Sequence, residues 1–163
     1  MIFNIILEGF GMCVIAFSIF VFLIKQGAVG LVVLYSKDMQ EKIVELGLTT
    51  SARIKKNALV INVYFTFLYV AYLLVCVYMF NGARGFFAGF WQMTVILLIM
   101  GLSDRLIMEA LLIGHAKACI IQGAEGLRPY ITSRKYIENW IRTIIGYPTI
   151  AAIISGITTI FLK

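Results

Sequence analysis

The chain has 163 residues, of which 61% are hydrophobic and 13% are charged, and its formal net charge is +6. Together with a mean hydropathy of +0.96, this composition excludes a soluble enzyme. Four helices of about 20 residues each would cross a bilayer and use about half of the chain. The composition therefore indicates a membrane protein with room for four spanning helices.

The first predicted span covers residues 2–24, which are almost entirely apolar. At ~1.5 Å per residue this stretch reaches about 34 Å, enough to cross a bilayer with some tilt. Its start lacks the basic residues of a cleaved signal peptide, so we expect the segment to stay in place. The apolar residues 27–35 are too few to cross alone, and they either extend the first helix or lie at the membrane interface.

Residues 37–48 have the pattern of an amphipathic helix. Met39, Ile43 and Leu46 recur at helical spacing, opposite charged side chains. Such a helix either lies flat at the membrane interface or packs on protein, and the pattern favours neither arrangement over the other.

The second and third predicted spans cover residues 57–80 and 86–103. Only a short connection with turn residues, beginning at Asn81, separates them, so they must form an antiparallel hairpin. Asp104 and Arg105 interrupt the third span, after which an apolar helical pattern resumes as far as residue 114. The simplest interpretation is one long third helix that leaves the membrane.

Residues 115–139 form a polar stretch in which two glycines and Pro129 interrupt any continuous helix. The fourth predicted span covers residues 143–162, with Trp140 at interface depth and a bend or local unwinding at Pro148. The sequence thus predicts an all-α, polytopic membrane protein.

The whole chain, residues 1–163, is predicted to be a single membrane domain. It forms a four-transmembrane-helix bundle with an interfacial amphipathic helix and an extended third helix. Twelve of the fourteen Lys and Arg residues lie in two connections, residues 25–56 and 104–142. By the positive-inside rule these connections are cytoplasmic and both termini are extracytoplasmic, which predicts a multi-pass protein of the cell inner membrane.

The basic residues flank apolar spans and form no continuous stripe, so we expect anionic lipid headgroups as partners and no nucleic acid. The sequence contains no zinc-protease, P-loop, dinucleotide-binding, nucleophile-elbow or EF-hand motif. Its three cysteines form no disulfide framework, and one histidine cannot build a metal site by itself. We therefore expect no metal and no cofactor, and catalysis is the less favoured function.

Charged residues within or next to spans are the most informative sites, because burying a charge in a bilayer is costly. For Glu8 in the first span, a structural or interfacial role is favoured over an ion or proton role. Arg105 and Glu109, four residues apart, are expected to neutralise each other. Asp104 has no basic partner at helical spacing, so we expect it to reach a cation on another segment or to face a water-filled pocket. It is the leading binding candidate.

Four side chains near the polar stretch could bind a phosphate or headgroup: His115, Lys117, Glu125 and Arg128. If the protein is catalytic, His115 and Glu125 are the candidates for proton transfer. The favoured alternative is that these charges are solvated and hold the loop in place.

Polar side chains on two predicted spans could line a path for a solute. Asn62 and Thr66 share a stripe of the second span, and Gln92 lies in the third. Hydrogen bonds between helices are the commoner explanation of such residues. Small residues at a spacing of four occur at Gly85 and Gly89 and again at Ala152 and Gly156, which predicts close helix packing or contacts between copies.

Several segments together resemble a family of small four-span bacterial membrane proteins without an established activity. They are the amphipathic residues 40–49, the Asn81-Gly82-Ala83 turn, Asp104, Gly114-His115-Ala116-Lys117 and Gly123-Ala124-Glu125. The family has a Pro-Gly-Thr-Glu-Asp loop where this chain has Gln122-Gly123-Ala124-Glu125-Gly126. The resemblance implies a bacterial membrane and one site for the loop residues, but no catalytic role.

Three functions are compatible with these patterns. The first is an oligomeric, non-enzymatic membrane protein that binds or passes a small solute or ion along Asn62, Thr66, Gln92 and Asp104. The second, nearly level with it, is an accessory subunit of a larger membrane complex. The third is a membrane-embedded enzyme acting on a lipid or isoprenoid phosphate, in which Lys117 and Arg128 hold the phosphate.

Overall fold

The computed structural model describes residues 2–113 and 115–161, and every regular element in this part of the chain is helical. The helices are α1 (Ile2–Ile24), α2 (Lys37–Glu45), α3 (Ser51–Phe80), α4 (Gly85–Ser103) and α5 (Ser133–Phe161). A π-helical segment, Asp104–Ile113, continues α4. Short 3₁₀ turns occupy Ala28–Leu34, Lys117–Cys119 and Glu125–Leu127. The predicted all-α class is confirmed for these residues.

Three of these helices, α1, α3 and α5, are long and apolar enough to cross a membrane. The outward-facing side chains of these helices are apolar, and in water they would be exposed to solvent. Helices of this kind therefore need a lipid environment. The fold is therefore that of an integral membrane helix bundle.

Two spanning helices begin earlier than hydropathy alone predicts. α3 begins at Ser51 and α5 at Ser133, because Thr50 and Thr132 cap their first turns by accepting hydrogen bonds from the Arg53 and Lys135 amides. The first turns of both helices are helical, but they carry too many charged residues for hydropathy to include them in a predicted span. The predicted end of the last span, residue 162, lies outside the described residues.

The segment after α1 folds back onto the bundle and does not extend the helix. Gly27 takes a positive φ of 83°, and the 3₁₀ turn that follows buries Leu31 and Val32 completely. α2 packs on protein with Ile43, which is fully buried, while Leu46 just beyond its end is 53% exposed.

α4 lies at the centre of the bundle, packed along α1 on one side and α5 on the other. Small residues permit this closeness: a Cβ on Gly89 would lie 2.7 Å from the Ser155 hydroxyl oxygen, and one on Gly101 would lie 2.7 Å from Thr143 Cγ2. On α5, Ala151 and Ser155, next to the predicted Ala152 and Gly156, are both 0% exposed.

The bundle has a hairpin end and a loop end. At the hairpin end, the α3–α4 turn lies beside the start of α1, where Asn81 Nδ2 donates to Glu8 Oε2 at 2.9 Å. The last turns of α5 lie there too, since Ser155 donates to the Phe86 carbonyl at 2.7 Å. At the loop end the two basic connections pack together, with Tyr35 and Tyr130 stacked at a centroid distance of 4.8 Å.

Each end has its own apolar core. The hairpin-end cluster consists of Ile5, Met12, Leu73, Val77, Ala83, Met93, Ile96, Leu97, Met100 and Ala151. The loop-end cluster consists of Phe20, Leu23, Leu31, Val32, Tyr35, Ile43, Met108, Ile113, Cys119, Ile121, Ala124 and Tyr130. The second cluster draws most of its members from the connections and so covers one end of the helices.

Candidate functional site

A buried cluster of three charged side chains lies where α4 passes into its π-helical extension. The Arg105 guanidinium donates to Glu109 through one terminal nitrogen and to Asp104 through the other. The side chains of Arg105 and Glu109 are only 9% and 10% exposed, whereas that of Asp104 is 29% exposed. The cluster therefore presents Asp104 as its accessible member.

The predicted Arg105–Glu109 pair is confirmed, but the expected partner of Asp104 is wrong. Of the two alternatives for Asp104, a cation on another segment is wrong, because Asp104 pairs with Arg105, the next residue of the chain. Helical spacing alone misses this contact because a long guanidinium has five donors and can serve two carboxylates at once. The other part of the expectation, that Asp104 faces a cavity, agrees with the structure.

The cluster carries a formal charge of −1, since two carboxylates surround one guanidinium. Asn139 on α5 donates a further hydrogen bond to Glu109 Oε1. Within the described residues, Glu109 Oε2 and Arg105 Nε are buried without a hydrogen-bond partner. An unsatisfied buried polar group costs about 1–3 kcal/mol, so the acceptor and the donor would both gain from a further hydrogen-bond partner.

A cavity of about 340 Å³, which we call the Asp104 cavity, adjoins this cluster. It lies among α1, α3, the α4 extension and α5. Its polar lining consists of Asn62, Tyr69, Asp104, Arg105, Glu109, Lys135, Asn139, Arg142 and Tyr147. The rest of the lining is apolar and includes residues of both cores. A polar cavity of this size between helices fits a small solute.

Three helices are π-wound where they line the Asp104 cavity. These stretches are Ile61–Phe65 in α3, Asp104–Ile113 after α4, and Arg142–Gly146 in α5. A further π-helical stretch, Val75–Phe80, ends α3 at the hairpin end, away from the cavity. Such widened turns occur often at functional sites, because they displace side chains from regular helical positions. The stretch in α5 ends just before Pro148, where local unwinding is predicted from the sequence. Nothing in the sequence indicates the other two stretches at the cavity.

The predicted path residues are only partly brought together. Asn62 lines the Asp104 cavity with Asp104 itself. Thr66, one turn further along α3, is exposed on the outside of the bundle, and Gln92 is buried in α4 near the hairpin-end cluster. Neither Thr66 nor Gln92 lines this cavity.

The four predicted loop residues do not converge on the Asp104 cavity. His115 is exposed, with its Nδ1 2.8 Å from the Ala110 carbonyl, and Lys117 is exposed. The Glu125 carboxylate accepts hydrogen bonds from the Gly123 amide at 3.1 and 3.0 Å, which holds its own turn. Only Arg128 of the four lies in a second depression, described next.

A lateral groove of about 660 Å³ runs beside the Asp104 cavity and shares Glu109 and Ile113 with it. Its lining consists of Glu109, Ala110, Ile113, Arg128, Pro129, Tyr130, Ile131, Ser133, Tyr136 and Ile137. Most of this lining is apolar or aromatic. The groove was missed in the sequence because its walls come from two segments that are distant along the chain.

Glu8 has a structural role in the bundle. Its carboxylate accepts from Asn81, and its backbone carbonyl accepts a hydrogen bond from the Tyr72 hydroxyl at 2.9 Å. These contacts tie α1 to α3 and to the hairpin turn. They agree with the structural role that the sequence favours for this residue.

The loop-end cluster holds titratable groups in their neutral forms. Burial, followed by the neighbouring Tyr130, raises the pKa of Tyr35 above its ordinary value, and burial raises the pKa of the Cys119 thiol. Among the described residues, no group of three or more His, Cys, Asp or Glu side chains is placed to hold a metal ion.

Comparisons with models of protein families, with curated proteins and with solved structures found no match. The resemblance to small four-span bacterial membrane proteins therefore stays a prediction, and the function is argued from the site alone.

Proposed function

We propose that this chain is a four-span membrane protein that binds a small solute with a positively charged group in the Asp104 cavity. The observation that carries the proposal is the buried cluster of Asp104, Arg105 and Glu109, which has a net charge of −1 and an unused acceptor, Glu109 Oε2. Ionisable groups kept inside a membrane protein are costly and commonly mark ligand or ion sites.

Two cations in the lining of the cavity add a preference for solutes that also carry an anionic group. Lys135 and Arg142 line it from α5, and in the described structure neither lies within 4.0 Å of a carboxylate oxygen. A zwitterionic solute would place its cationic group at Asp104 and its anionic group toward these two cations. Asn62 and Asn139 add neutral hydrogen-bonding groups to the lining.

Binding can be tested with simple cations and their uncharged counterparts. Thermal unfolding of the purified protein in detergent is measured with choline or methylammonium, and with 3,3-dimethylbutan-1-ol or methanol as the uncharged counterparts. We expect the cations alone to raise the midpoint, because binding to the native state stabilises it. Asp104→Asn should abolish the effect, and Glu45→Gln, an exposed carboxylate on α2, should preserve it.

Two outcomes would overturn the proposal: no stabilisation by either cation, or the same stabilisation in the Asp104→Asn variant. Passage of the solute is tested next, by uptake of the stabilising cation into reconstituted vesicles. Passage should also depend on Asp104.

The fourth span in this proposal is α4. Its 19 residues carry no charge and reach about 29 Å, close to the thickness of the hydrocarbon core. Its central position between α1 and α5 supports the assignment, because a helix enclosed by two spanning helices lies at the same depth.

The proposed orientation has the loop end in the cytoplasm and both termini outside, in the inner membrane of a bacterial cell. The charge asymmetry supports it, since twelve of fourteen Lys and Arg residues belong to the two connections. Fusion of each terminus to a reporter that is active on one side of the membrane checks it. A cytoplasmic C-terminus would contradict this orientation.

We also propose that the chain associates with another membrane helix through α3, as a homo-oligomer or as an accessory subunit. Thr66 supports this, because it is exposed on a spanning helix where a hydroxyl gains from a partner in another helix. Mass measurement of the protein released from native membranes distinguishes a copy from a different partner. A monomer, unchanged by Thr66→Val, would contradict association.

The enzyme alternative has the least support. Of its proposed catalytic and phosphate-binding residues, only Arg128 lines the lateral groove. The others, His115, Lys117 and Glu125, line neither this groove nor the Asp104 cavity.

A further inference from the structure

The lateral groove has a polar end and an apolar end. Arg128 and Ser133, the first residue of α5, come from the loop side. Ile137 lies one turn further along α5, about 6 Å closer to the hairpin end. Ala110 and Ile113 face it from the α4 extension. The groove is therefore polar toward the loop side and largely apolar beyond it, with Glu109 as the carboxylate that its lining shares with the Asp104 cavity.

The apolar end of the groove is open on the outside of the bundle. Tyr136 is 39% exposed and Ile137 is 58% exposed, although both belong to a helix that is long and apolar enough to span a membrane. Both lie in the amphipathic first turns of α5, within about one turn of Trp140 at interface depth, where apolar side chains meet the lipid headgroups and the upper part of the acyl chains. The upper part of an acyl chain can thus enter the groove along Tyr136 and Ile137.

The polar end of the groove matches the phosphate of a lipid. A guanidinium offers five donors and binds phosphate through two of them at once, so Arg128 can hold a phosphate beside its existing contacts. The Ser133 hydroxyl is a further donor on the same wall. The loop end also carries most of the basic residues of the chain, which attracts anionic headgroups.

We propose that the lateral groove is a binding site for one anionic phospholipid, with the phosphate at Arg128 and an acyl chain along Ile113, Tyr136 and Ile137. The volume of the groove, about 660 Å³, is in the range of small-molecule sites, which favours a lipid over a protein partner. This inference requires that the chain spans a membrane. It does not require that the Asp104 cavity binds a solute.

Trp140 provides a fluorescent reporter at the groove. Its ring contacts that of Tyr136 at a centroid distance of 6.1 Å, and Trp91→Phe leaves it as the single tryptophan of the chain. The Trp91→Phe protein is reconstituted in vesicles of phosphatidylcholine and phosphatidylglycerol at one fixed composition. Bromine, which quenches tryptophan on contact, is carried by one lipid or the other at equal mole fraction.

We expect brominated phosphatidylglycerol to quench Trp140 more strongly than brominated phosphatidylcholine. The apparent preference should be about fivefold, as expected for one cation at an anionic headgroup. Arg128→Gln should bring the two lipids close to parity, and Arg128→Lys should keep most of the preference. Arg134→Gln is the matched control, because Arg134 lies at the same end of α5 and its side chain is 91% exposed.

Equal quenching by the two lipids, or an unchanged preference in Arg128→Gln, would overturn the proposal. Inorganic phosphate added to the buffer should not abolish the preference, because it cannot occupy the apolar part of the groove. If inorganic phosphate did abolish it, the site would be one for free phosphate and not for a lipid. Because no solute is present, the result is independent of binding in the Asp104 cavity.

Discussion

The two ends of this bundle are built from the same helices but differ in how closely the helices pack and in the charges that they bury. At the hairpin end, α4 approaches its neighbours closely at Gly89, and neutral groups such as Tyr78 and Ser155 satisfy each other, 3.2 Å apart. At the loop end the α4 extension and the facing stretches of α3 and α5 enclose charges around Arg105, and a core built from the connections covers them. Close packing stabilises one end, while incomplete packing leaves room for a ligand at the other.

The largest expected effect is on the free energy of unfolding, when the loss of a buried ion pair is compared with the loss of an exposed pair that has the same spacing along the helix. Arg105→Met leaves two carboxylates buried without a cation and should destabilise the protein by ~3–5 kcal/mol. Arg134→Met removes the matched pair with Glu138, whose side chains are 91% and 51% exposed, and should cost below ~1 kcal/mol. Unfolding of both variants in detergent gives the two values.

A rescue variant checks the reason for that loss. Combining Arg105→Met with Asp104→Asn and Glu109→Gln removes the buried charges and should recover most of the stability. If the combined variant were less stable than Arg105→Met alone, the loss would arise from packing and not from charge.

The next comparison places one methyl group at each end of the bundle. A Cβ on Gly30 would lie 2.1 Å from the Leu23 carbonyl oxygen, a backbone atom that cannot move aside, and Gly30→Ala should cost ~1–3 kcal/mol or more. A Cβ on Gly89 would lie 2.3 Å from the Tyr78 hydroxyl oxygen, the end of a side chain that can shift. Gly89→Ala should therefore cost less than Gly30→Ala in thermal unfolding.

Gly126→Ala is the control for both glycine variants, because a Cβ there would meet open space. It should change the midpoint little. If Gly30→Ala and Gly126→Ala lowered the unfolding midpoint equally, the result would contradict the close packing of the first connection against the end of α1.

The stacked tyrosines of the loop end should respond differently to loss of their hydroxyls. The Tyr130 hydroxyl accepts from the Ile121 amide at 3.1 Å and donates to the Ala124 carbonyl at 3.3 Å, so Tyr130→Phe should cost ~1–3 kcal/mol. The Tyr35 hydroxyl is buried without a hydrogen-bond partner in the described structure, so Tyr35→Phe should be neutral or stabilising. If Tyr35→Phe destabilised the protein more than Tyr130→Phe, the result would contradict this arrangement of the two hydroxyls.

The smallest expected effect is on chemical reactivity at the loop end. Cys119 is 1% exposed and burial raises the pKa of its thiol, so it should react slowly with a maleimide at neutral pH. Two variants are compared, and both carry Cys13→Ala and Cys76→Ala. The first keeps Cys119 as its single thiol, and the second carries Ala118→Cys and Cys119→Ala, which moves the thiol to position 118. The exposed thiol at position 118 should react much faster, and equal rates would mean that the loop-end cluster does not form.

The sequence alone determined the features that depend on neighbouring residues. Runs of apolar residues located the long helices, because the thickness of a bilayer demands about 20 such residues in succession. Helical spacing also predicted the Arg105–Glu109 pair, because residues four apart meet on one face. The early starts of α3 and α5 have a local cause as well, in the caps at Thr50 and Thr132.

Only the tertiary structure decided which segments meet across the chain. The Asp104 cavity needs α1, α3, the α4 extension and α5 together, and the loop-end cluster needs Tyr35 beside Tyr130. The same holds for Thr66 and Gln92, which point away from Asp104 because helix rotation is set by packing on neighbours. Hydropathy and spacing describe one helix at a time, so they contain no information on how helices turn toward each other.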